Sequence, residues 1–311
     1  MNIIGFDVSK HELVGVKITK GGVVKETYSI ENTKEAIDVF LDGRKKITVG
    51  CEATAEYHNV LALSCIERGI PCRVLNPIVT KQFTRATVRR KKTDLTDAEV
   101  IAKCVLQGEG QLVTLASFSA SKRLLRTSSE LTRLSVSVSH MRKTFAEHWE
   151  EELEIQEILS VLEGHLDTAV KEVRAQGVKS VDAGQKKLLA TIPGIGDTLA
   201  ATILAEVGDV ARFPNAPALV AYAGLDPRVR QSGISLHRNA KLTKRGSPYL
   251  RRALFIGASI AQRHDPYLKA YYEKKRLEGK RYKEATVANA RHMMHRVHAV
   301  LKRGTPYVVH R

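Results

Sequence analysis

Short runs of alternating hydrophobic and polar residues dominate the first third of the chain, a pattern typical of strands. The runs are NIIGFDVSK, ELVGVKIT, GGVVKETYSI, KKITVGCEAT and PCRVLNP. Gly21-Gly22 separates the second run from the third and is typical of a hairpin turn. Segments near 34–43 and 56–68 have helical apolar spacing. Three strands followed by helix, strand, helix and strand predict a mixed α/β domain.

The middle of the chain, about 118–185, contains no proline. Apolar residues recur there every seven positions and at companion positions: Leu124, Leu131, Val138, Phe145, Leu134 and Met141. This repeat predicts a long helix that pairs with another helix as in a coiled coil. The partner helix can belong to the same chain, as an intramolecular hairpin, or to a second copy. We favour a dimer.

The third part of the chain begins with KKLLATIPGIGDTLAATILAEVGD. Apolar periodicity on both sides of Pro193-Gly194-Ile195-Gly196 predicts two helices joined by a glycine turn. Free amides at the start of the second helix could meet a phosphate, and such turns are typical of helix-hairpin-helix modules that grip a DNA backbone. A tight corner without a ligand is equally compatible. We therefore divide the chain into 1–115, 116–185 and 186–311.

Charge is unevenly distributed along these zones. The chain has a net charge of +17, and residues 186–311 hold 24 Lys and Arg against 8 Asp and Glu. Cationic surface of this size attracts polyphosphate, so nucleic acid is favoured over a membrane surface or an acidic protein partner. No apolar stretch is long enough to cross a bilayer. With no signal-peptide pattern and no paired spacing among four cysteines, a reducing cytoplasm is expected.

Four acidic residues stand out in this basic chain. Asp7 ends the first apolar run and Glu52 ends another, while Asp94 and Asp97 lie three residues apart in KKTDLTDAEVIA. The last two suit a helix start, where Thr96 and Glu99 would form a capping box. They also share one helix face. If the four carboxylates converge at the ends of adjacent strands, an oxygen-only site for Mg²⁺ results.

A resemblance to a known family links these features. Four motifs of the chain resemble those of the RuvC-like nuclease fold in its DEDD form and occur in the same order. They are FDVSK, CEAT, the LNP after the next strand and KKTDLTDAEVIA. IPGIG, ALVAYAGLDPR, RQSGIS and KLTKRGSPYLRRAL complete the match. The whole chain resembles the DEDD transposases of the insertion-sequence one-ten family, relatives of site-specific DNA invertases.

The resemblance implies a specific fold and chemistry. The N-terminal domain should be α/β and RuvC-like (RNase H-like), followed by a long helical coiled-coil region and a mainly α C-terminal domain. Asp7, Glu52, Asp94 and Asp97 should hold Mg²⁺. Implied partners are double-stranded DNA, as donor and target, and a structured non-coding guide RNA, with assembly as a homodimer or homotetramer and no membrane.

A recombinase also needs a nucleophile that conserves the phosphodiester energy. RVRQSGISLHRNAKLTKRGS offers Ser232, Ser235 and Ser247, and the residues alone do not choose among them. The resemblance implies Ser232. Basic residues around this loop are expected to hold phosphates: Arg228, Arg230, Arg238, Lys241, Lys244, Arg245, Arg251 and Arg252. A zinc site is not assigned to the three histidines of the last basic helix, because their spacing spreads them across nearly half of the helix surface. They are His292, His295 and His298.

Two other functions remain open. The first is a hydrolytic Holliday-junction resolvase of the RuvC type, which would cut DNA without a covalent protein–DNA intermediate. The second is a non-catalytic nucleic-acid-binding protein whose acids serve only as helix caps. A resolvase would keep cleavage after substitution of Ser232, and a non-catalytic binding protein would keep its function after substitution of Asp7. A recombinase would lose its activity in both cases.

Overall fold

The computed structural model describes most of the 311-residue chain. Described residues are 2–44, 46–53, 56–86, 93–149, 153–227, 231–232, 235–236, 242–244 and 246–308, with backbone alone for 85–86, 116–117, 231–232 and 235–236. Two compact units divide the chain, Met1–Ser117 and Phe118–Arg311. The helical middle zone thus falls in the same unit as the C-terminal helices.

A six-stranded sheet forms the centre of the first unit. Its strands are β1 Asn2–Val8, β2 Glu12–Ile18, β3 Val24–Glu31, β4 Ile47–Glu52, β5 Cys72–Leu75 and β6 Gln111–Leu112. The strand order is β3-β2-β1-β4-β5-β6. β1, β2 and β3 are antiparallel neighbours, β4 and β5 continue parallel to β1, and β6 is an antiparallel edge. The first five strands have the order and directions of the RNase H-like sheet that the resemblance implies.

Helices cover both faces of this sheet. They are α1 Lys34–Leu41, α2 Asn59–Glu67, α3 Pro77–Ala86 and α4 Asp94–Leu106. On one face, α4 buries Ala98, Ile101 and Val105 against Ile3 and Val16 of the sheet. On the other face, Phe6 of β1 meets Phe40 of α1 edge-to-face, with ring centroids 5.6 Å apart. Alternate residues of β1 therefore face different helices, because side chains alternate along a strand.

The second unit is mainly helical. Its elements are α5 Ala120–His148, α6 Leu153–Lys179, α7 Ala183–Ala190, α8 Asp197–Val207, α9 Ala216–Tyr222, β7 Gln231–Ser232, β8 Ser235–Leu236, α10 Pro248–His264, α11 Pro266–Leu277 and α12 Tyr282–Arg303. Its main core joins α7 to α12 through residues such as Leu189, Ile203, Leu254 and Met293.

α5 and α6 pair within the chain as a helical hairpin, through a different seam from the predicted one. Of the six heptad positions only Val138 is buried, whereas Leu134 and Met141 are about half exposed. A stripe of small residues faces α6 instead, and Ser135 donates a 2.7 Å hydrogen bond to Asp167. Gly177 of α6 packs against Leu125. Hydroxyls that bond across the seam replace the expected apolar side chains.

A long loop joins α9 to α10. Pro227 pairs with Leu242, and the Thr243 amide donates to the Asp226 carbonyl at 2.9 Å, which closes a stem. Beyond the stem, β7 and β8 form a short antiparallel hairpin. In the parts of the chain that the structure describes, no helix is long and apolar enough to span a membrane.

Candidate functional site

The two glycines Gly5 and Gly50 bring α4 against the sheet. They are register partners on the parallel strands β1 and β4. A Cβ on Gly5 would overlap the backbone of Ala98 and Ala102, and a Cβ on Gly50 would overlap the side chain of Val105. Both glycines therefore face α4, and only a residue without a side chain permits so close an approach.

This packing decides where the predicted acids lie. Asp7 and Glu52 each stand two residues beyond one of the glycines, so both share the α4 face. Asp94 lies one helical turn before Ala98, which contacts Gly5, and Asp97 directly precedes it. The structure thus brings all four predicted acids to the same end of the sheet, around the first turn of α4.

The helix cap differs from the expected one. Thr93 is the N-cap of α4, and its hydroxyl accepts from the Thr96 amide at 3.3 Å. Thr96 completes a capping box by accepting from the Thr93 amide at 2.9 Å. The predicted box of Thr96 and Glu99 is wrong, because the helix begins three residues earlier and Glu99 pairs with Lys103 at 2.6 Å. Asp94 and Asp97 do occupy the first turn.

The carboxylate of Asp7 interacts electrostatically with the other three acids. Burial raises the pKa of Asp7, and the negative charges of Asp97, Asp94 and Glu52 raise it further, while a hydrogen bond from the Val8 amide opposes the shift. Thr80 of α3 donates a 2.6 Å hydrogen bond to the Glu52 carboxylate. Asp7 thus lies close enough to the other three carboxylates for their charges to act on it.

The donor set suits a hard cation, but the side chains do not form a finished site. Among the described residues, no group of three His, Cys, Asp or Glu side chains could hold a metal ion as it stands. The backbone nevertheless brings the four acids to the same end of the sheet.

The predicted nucleophile lies in the loop between α9 and α10. Ser232 ends β7 and pairs with Ser235 of β8, so both candidate serines lie side by side in one hairpin. The third candidate, Ser247, has a structural role instead. It caps α10 by accepting from the Leu250 amide, and it donates to Glu206 at 2.8 Å.

The predicted phosphate-binding cations divide into two sets. Arg228, Arg230, Arg238, Lys241 and Arg245 lie outside the described residues. Of the rest, Arg251 donates to the Ala223 carbonyl at 3.2 Å and Arg252 donates to the Ser129 hydroxyl at 3.1 Å. Lys244 lies in the loop stem with a left-handed backbone. Arg251 thus anchors the loop base, whereas Arg252 and Lys244 are exposed.

The glycine turn between α7 and α8 has a clear packing role. Gly194, at φ 87°, packs directly on the backbone of Gly257 and Ala261 in α10. Gly196 is the N-cap of α8 and has open space around it. The two predicted helices joined by a glycine turn are present. A helix-hairpin-helix module and a phosphate contact at Gly196 stay predictions.

Sequence reasoning missed a buried carboxylate in the second unit. Glu206 of α8 is 3% exposed and accepts from both Nε and Nη2 of Arg126 in α5, at 2.5 and 2.8 Å. Ser247 donates to the same carboxylate. Glu206 thereby joins the helical hairpin, the core and the start of α10. Its only signal in the sequence is an acid within the apolar run TILAEVG.

Two family models match the chain in succession. A transposase model of the DEDD IS110 type matches residues 4–154, and the model "Transposase IS116/IS110/IS902 family" matches residues 186–273. Together they span more than three quarters of the chain. It belongs to the IS110 family of transposases.

Individual relatives and solved structures match the chain to different extents. The pilin gene-inverting protein of Moraxella lacunata is 26% identical over 82% of this chain and 80% of its own length. An insertion element IS110 uncharacterized 43.6 kDa protein of Streptomyces coelicolor is 37% identical, over 39% of this chain and only 29% of its own length. Thermus thermophilus RuvC bound to a Holliday junction substrate superimposes with a TM-score of 0.29, at 13% identity, over 36% of this chain and 99% of RuvC.

Proposed function

We propose that this IS110-family chain is a metal-dependent DNA recombinase that mobilises an insertion sequence. The observation that carries the proposal is the placement of Asp7, Glu52, Asp94 and Asp97 at one end of the sheet by the Gly5–Gly50 register. A merely structural role does not account for a half-buried Asp7 with three further carboxylates near it in a chain of charge +17. The similarity to pilin gene-inverting proteins supports recombination over simple cleavage.

The four acids would hold the metal. Carboxylate oxygens without nitrogen or sulfur donors suit Mg²⁺. When bound, the ion stabilises negative charge on the phosphate oxygens during displacement. Thr80 keeps the Glu52 carboxylate in place by its hydrogen bond. The N-terminal amides of α4 add a positive field beside Asp94 and Asp97.

Ser232 would supply the nucleophile. Its hydroxyl loses a proton and its oxygen bonds to phosphorus, while the bond from phosphorus to a deoxyribose oxygen breaks and that oxygen takes up a proton. The phosphoserine bond keeps the energy of the phosphodiester, so rejoining needs no external energy source. Cations of the 228–245 loop would neutralise the charge that develops on the phosphate.

DNA and RNA would both bind the cationic second unit. The chain cuts and rejoins double-stranded donor and target DNA under this proposal, and a structured guide RNA selects the sequences by base pairing. Support for RNA comes from the family resemblance and from the excess of 16 positive charges in residues 186–311. Copurification from cells, followed by sequencing of bound RNA, tests this part directly. Recovery of only random cellular RNA would contradict it.

Self-association would use the helical hairpin. α5 and α6 pack against each other along one seam. Apolar residues elsewhere on the hairpin stay exposed: Leu134, Met141, Leu153, Ile158 and Val161. Exposed apolar patches of this kind mark interaction surfaces. A homodimer or homotetramer formed there would let one protomer's acids act with another's serine loop.

DNA cleavage in Mg²⁺ tests the role of the acids. We expect Asp97→Asn to abolish strand cleavage of a labelled duplex that carries the element's end, because the carboxylate helps to hold the ion. Glu99→Gln is the matched control, two residues further along α4 and bonded to Lys103. Cleavage that survives in Asp97→Asn at the wild-type rate would refute the metal site.

The resolvase alternative makes a different prediction. A hydrolytic RuvC-type enzyme would keep cleavage in Ser232→Ala and would release free ends. The non-catalytic alternative predicts that wild-type protein and Asp7→Ala bind DNA equally and that neither cuts it. The proposed recombinase predicts loss of cleavage in both variants.

A further inference from the structure

Aromatic rings gather at the surface formed by α11 and α12. Tyr267 and Tyr271, one turn apart on α11, have parallel rings with centroids 6.5 Å apart. His292 of α12 meets both rings edge-on, with its centroid 4.2 Å from that of Tyr271 and 5.7 Å from that of Tyr267. Tyr267 is 53% exposed, so this group is not part of the helical core. We call Tyr267, Tyr271 and His292 the aromatic surface.

Cations surround the aromatic surface. Lys275 lies with Nζ 5.4 Å from the Tyr271 centroid, and the Arg296 guanidinium lies 5.3 Å from the Tyr267 centroid. His295 is exposed beside His292. Aromatic faces interleaved with positive charge suit a polyanion that also carries flat rings, which is the description of a nucleic acid strand.

The surroundings of His292 favour its uncharged form. Burial lowers its pKa, and the positive charges of His295, Arg296, Arg291 and Lys275 lower it further. A neutral imidazole can lie against a base without the desolvation cost of a charged ring. Arg296 forms a buried ion pair with Asp265 at 2.6 Å, and Lys275 forms a more exposed pair with Glu278 at 2.7 Å. A phosphate would therefore compete with Glu278 for Lys275, while the rings would contact the bases.

The aromatic surface lies beside the stem of the serine loop. Arg291, the residue before His292, donates Nε to the Leu225 carbonyl at 2.7 Å. The same guanidinium interacts electrostatically with Tyr271 and with Asp226, which belongs to the loop stem. Arg291 thus links the aromatic surface to the loop stem.

We propose that the aromatic surface of Tyr267, Tyr271 and His292 stacks unpaired bases of the DNA strand that enters the serine loop. The proposal rests on the proposed function, which supplies that strand. Bases in a duplex are covered by their neighbours, so only an unpaired base offers a free face to the rings. Stacking does not depend on base identity, which suits an enzyme whose sequences are chosen by other means.

Binding to single-stranded DNA tests the aromatic surface. The probe is a fluorescein-labelled strand of about 15 nucleotides without self-complementarity, mixed with the full chain in EDTA and followed by fluorescence anisotropy. We expect Tyr267→Leu combined with Tyr271→Leu to raise the Kd for this strand by about 10-fold or more. The Kd for a blunt duplex of the same length should change less than about twofold, because the cations remain. Phe at both positions should restore tight binding.

Tyr272→Leu is the matched control. Tyr272 neighbours Tyr271 on α11 but meets Tyr282 instead, with centroids 6.2 Å apart. Its loss should leave both Kd values unchanged. Equal weakening of single strand and duplex by the double variant, or no weakening at all, would overturn the proposal. So would an effect confined to an RNA strand of the same sequence.

This experiment is independent of catalysis. It contains no metal ion and needs neither the acids nor Ser232, so failed strand cleavage would not affect its outcome. A chain that stacks single strands through these rings but forms no DNA adduct would keep the aromatic surface and refute the recombinase. Cleavage together with ring-independent binding would refute the aromatic surface alone.

Discussion

Glycine at positions 5 and 50 determines how close α4 comes to the sheet, and thereby where the acids lie. The pattern is the same on both strands, Gly-Phe-Asp on β1 and Gly-Cys-Glu on β4, in the same register. Each glycine admits the helix, and the acid two residues later points to the same side. The two-residue spacing between glycine and acid thus places each carboxylate beside the helix that the glycine admits.

Gly5→Ala should destabilise the first unit. The new methyl group would overlap backbone atoms of Ala98 and Ala102, which cannot rotate away as a side chain can. Overpacking of this kind costs about 1–3 kcal/mol. Urea unfolding measures the loss. Gly164→Ala in α6 is the control, because its Cβ would meet nothing within 4 Å, and it should gain up to about 1 kcal/mol. Equal stability of wild type and Gly5→Ala would contradict the packing argument.

Asp7→Asn should stabilise the metal-free protein at pH 7. The substitution removes a half-buried negative charge that Asp97, Asp94 and Glu52 repel. A thermal melt in EDTA should show a higher Tm for the variant than for wild type. Added Mg²⁺ should raise the Tm of wild type and leave that of Asp7→Asn nearly unchanged.

Asp42→Asn, at an exposed position after α1, is the control for Asp7→Asn and should melt as wild type does with and without Mg²⁺. An equal gain from Mg²⁺ in wild type and Asp7→Asn would exclude Asp7 from the ion's ligands. No gain in any of the three proteins would argue against the whole carboxylate site.

At the scale of elements, Glu206 holds three helices together. Its buried carboxylate accepts from Arg126 of α5 and from Ser247, the cap of α10, which directly follows the serine loop. The carboxylate thus links α5 of the helical hairpin to the residue that follows the serine loop. Because its two donors come from distant segments of the chain, this buried acid fixes the positions of α5, α8 and α10 relative to one another.

Loss of this carboxylate's charge should be costly. Glu206→Gln leaves the Arg126 guanidinium without its ion-pair partner, and the cost should be roughly 3 kcal/mol, limited by the partial exposure of Arg126. Ser247→Ala removes a helix cap as well as a donor and should cost about 1–2 kcal/mol. Urea unfolding gives both values. Glu278→Gln, which breaks the exposed pair with Lys275, should leave the midpoint unchanged.

The elements were predictable where packing follows apolar periodicity. Five strands, α1, α2 and the helices around Gly194 all lie where the pattern places them. The hairpin seam was not predictable in this way, because Ser128 and Ser135 are polar by type yet buried. Their hydroxyls bond across the seam to Arg174 and Asp167. A pattern of residue types does not show such pairings.

At the scale of the whole molecule, exposed apolar residues on the hairpin predict self-association. Ile158 is 65% exposed near its tip. Ile158→Lys should shift the sedimentation coefficient of the protein toward the monomer at a concentration where wild type is associated. Leu277→Lys is the matched control, since Leu277 is 90% exposed at the end of α11 and should not affect assembly. A wild type that sediments as a monomer would contradict this prediction.

The arrangement of the molecule in three domains stays a prediction. The proline-free zone does form two long helices, but they pack on α8 through Leu125 and Ala205 and so share a unit with the C-terminal helices. Contacts between distant segments, such as Arg126 with Glu206, decide that grouping. Local sequence patterns do not predict such contacts between distant segments.

The most direct test of the recombinase proposal is to trap the covalent intermediate. Full-length protein is incubated in Mg²⁺ with a suicide duplex, nicked so that the cut strand diffuses away, and the denatured products are separated and sequenced by mass spectrometry. The account predicts a protein–DNA adduct with the phosphate on Ser232, absent in Ser232→Ala and in Asp7→Asn but present in Ser235→Ala. Cleavage by Ser232→Ala with release of free DNA ends, and no adduct in wild type, would contradict it.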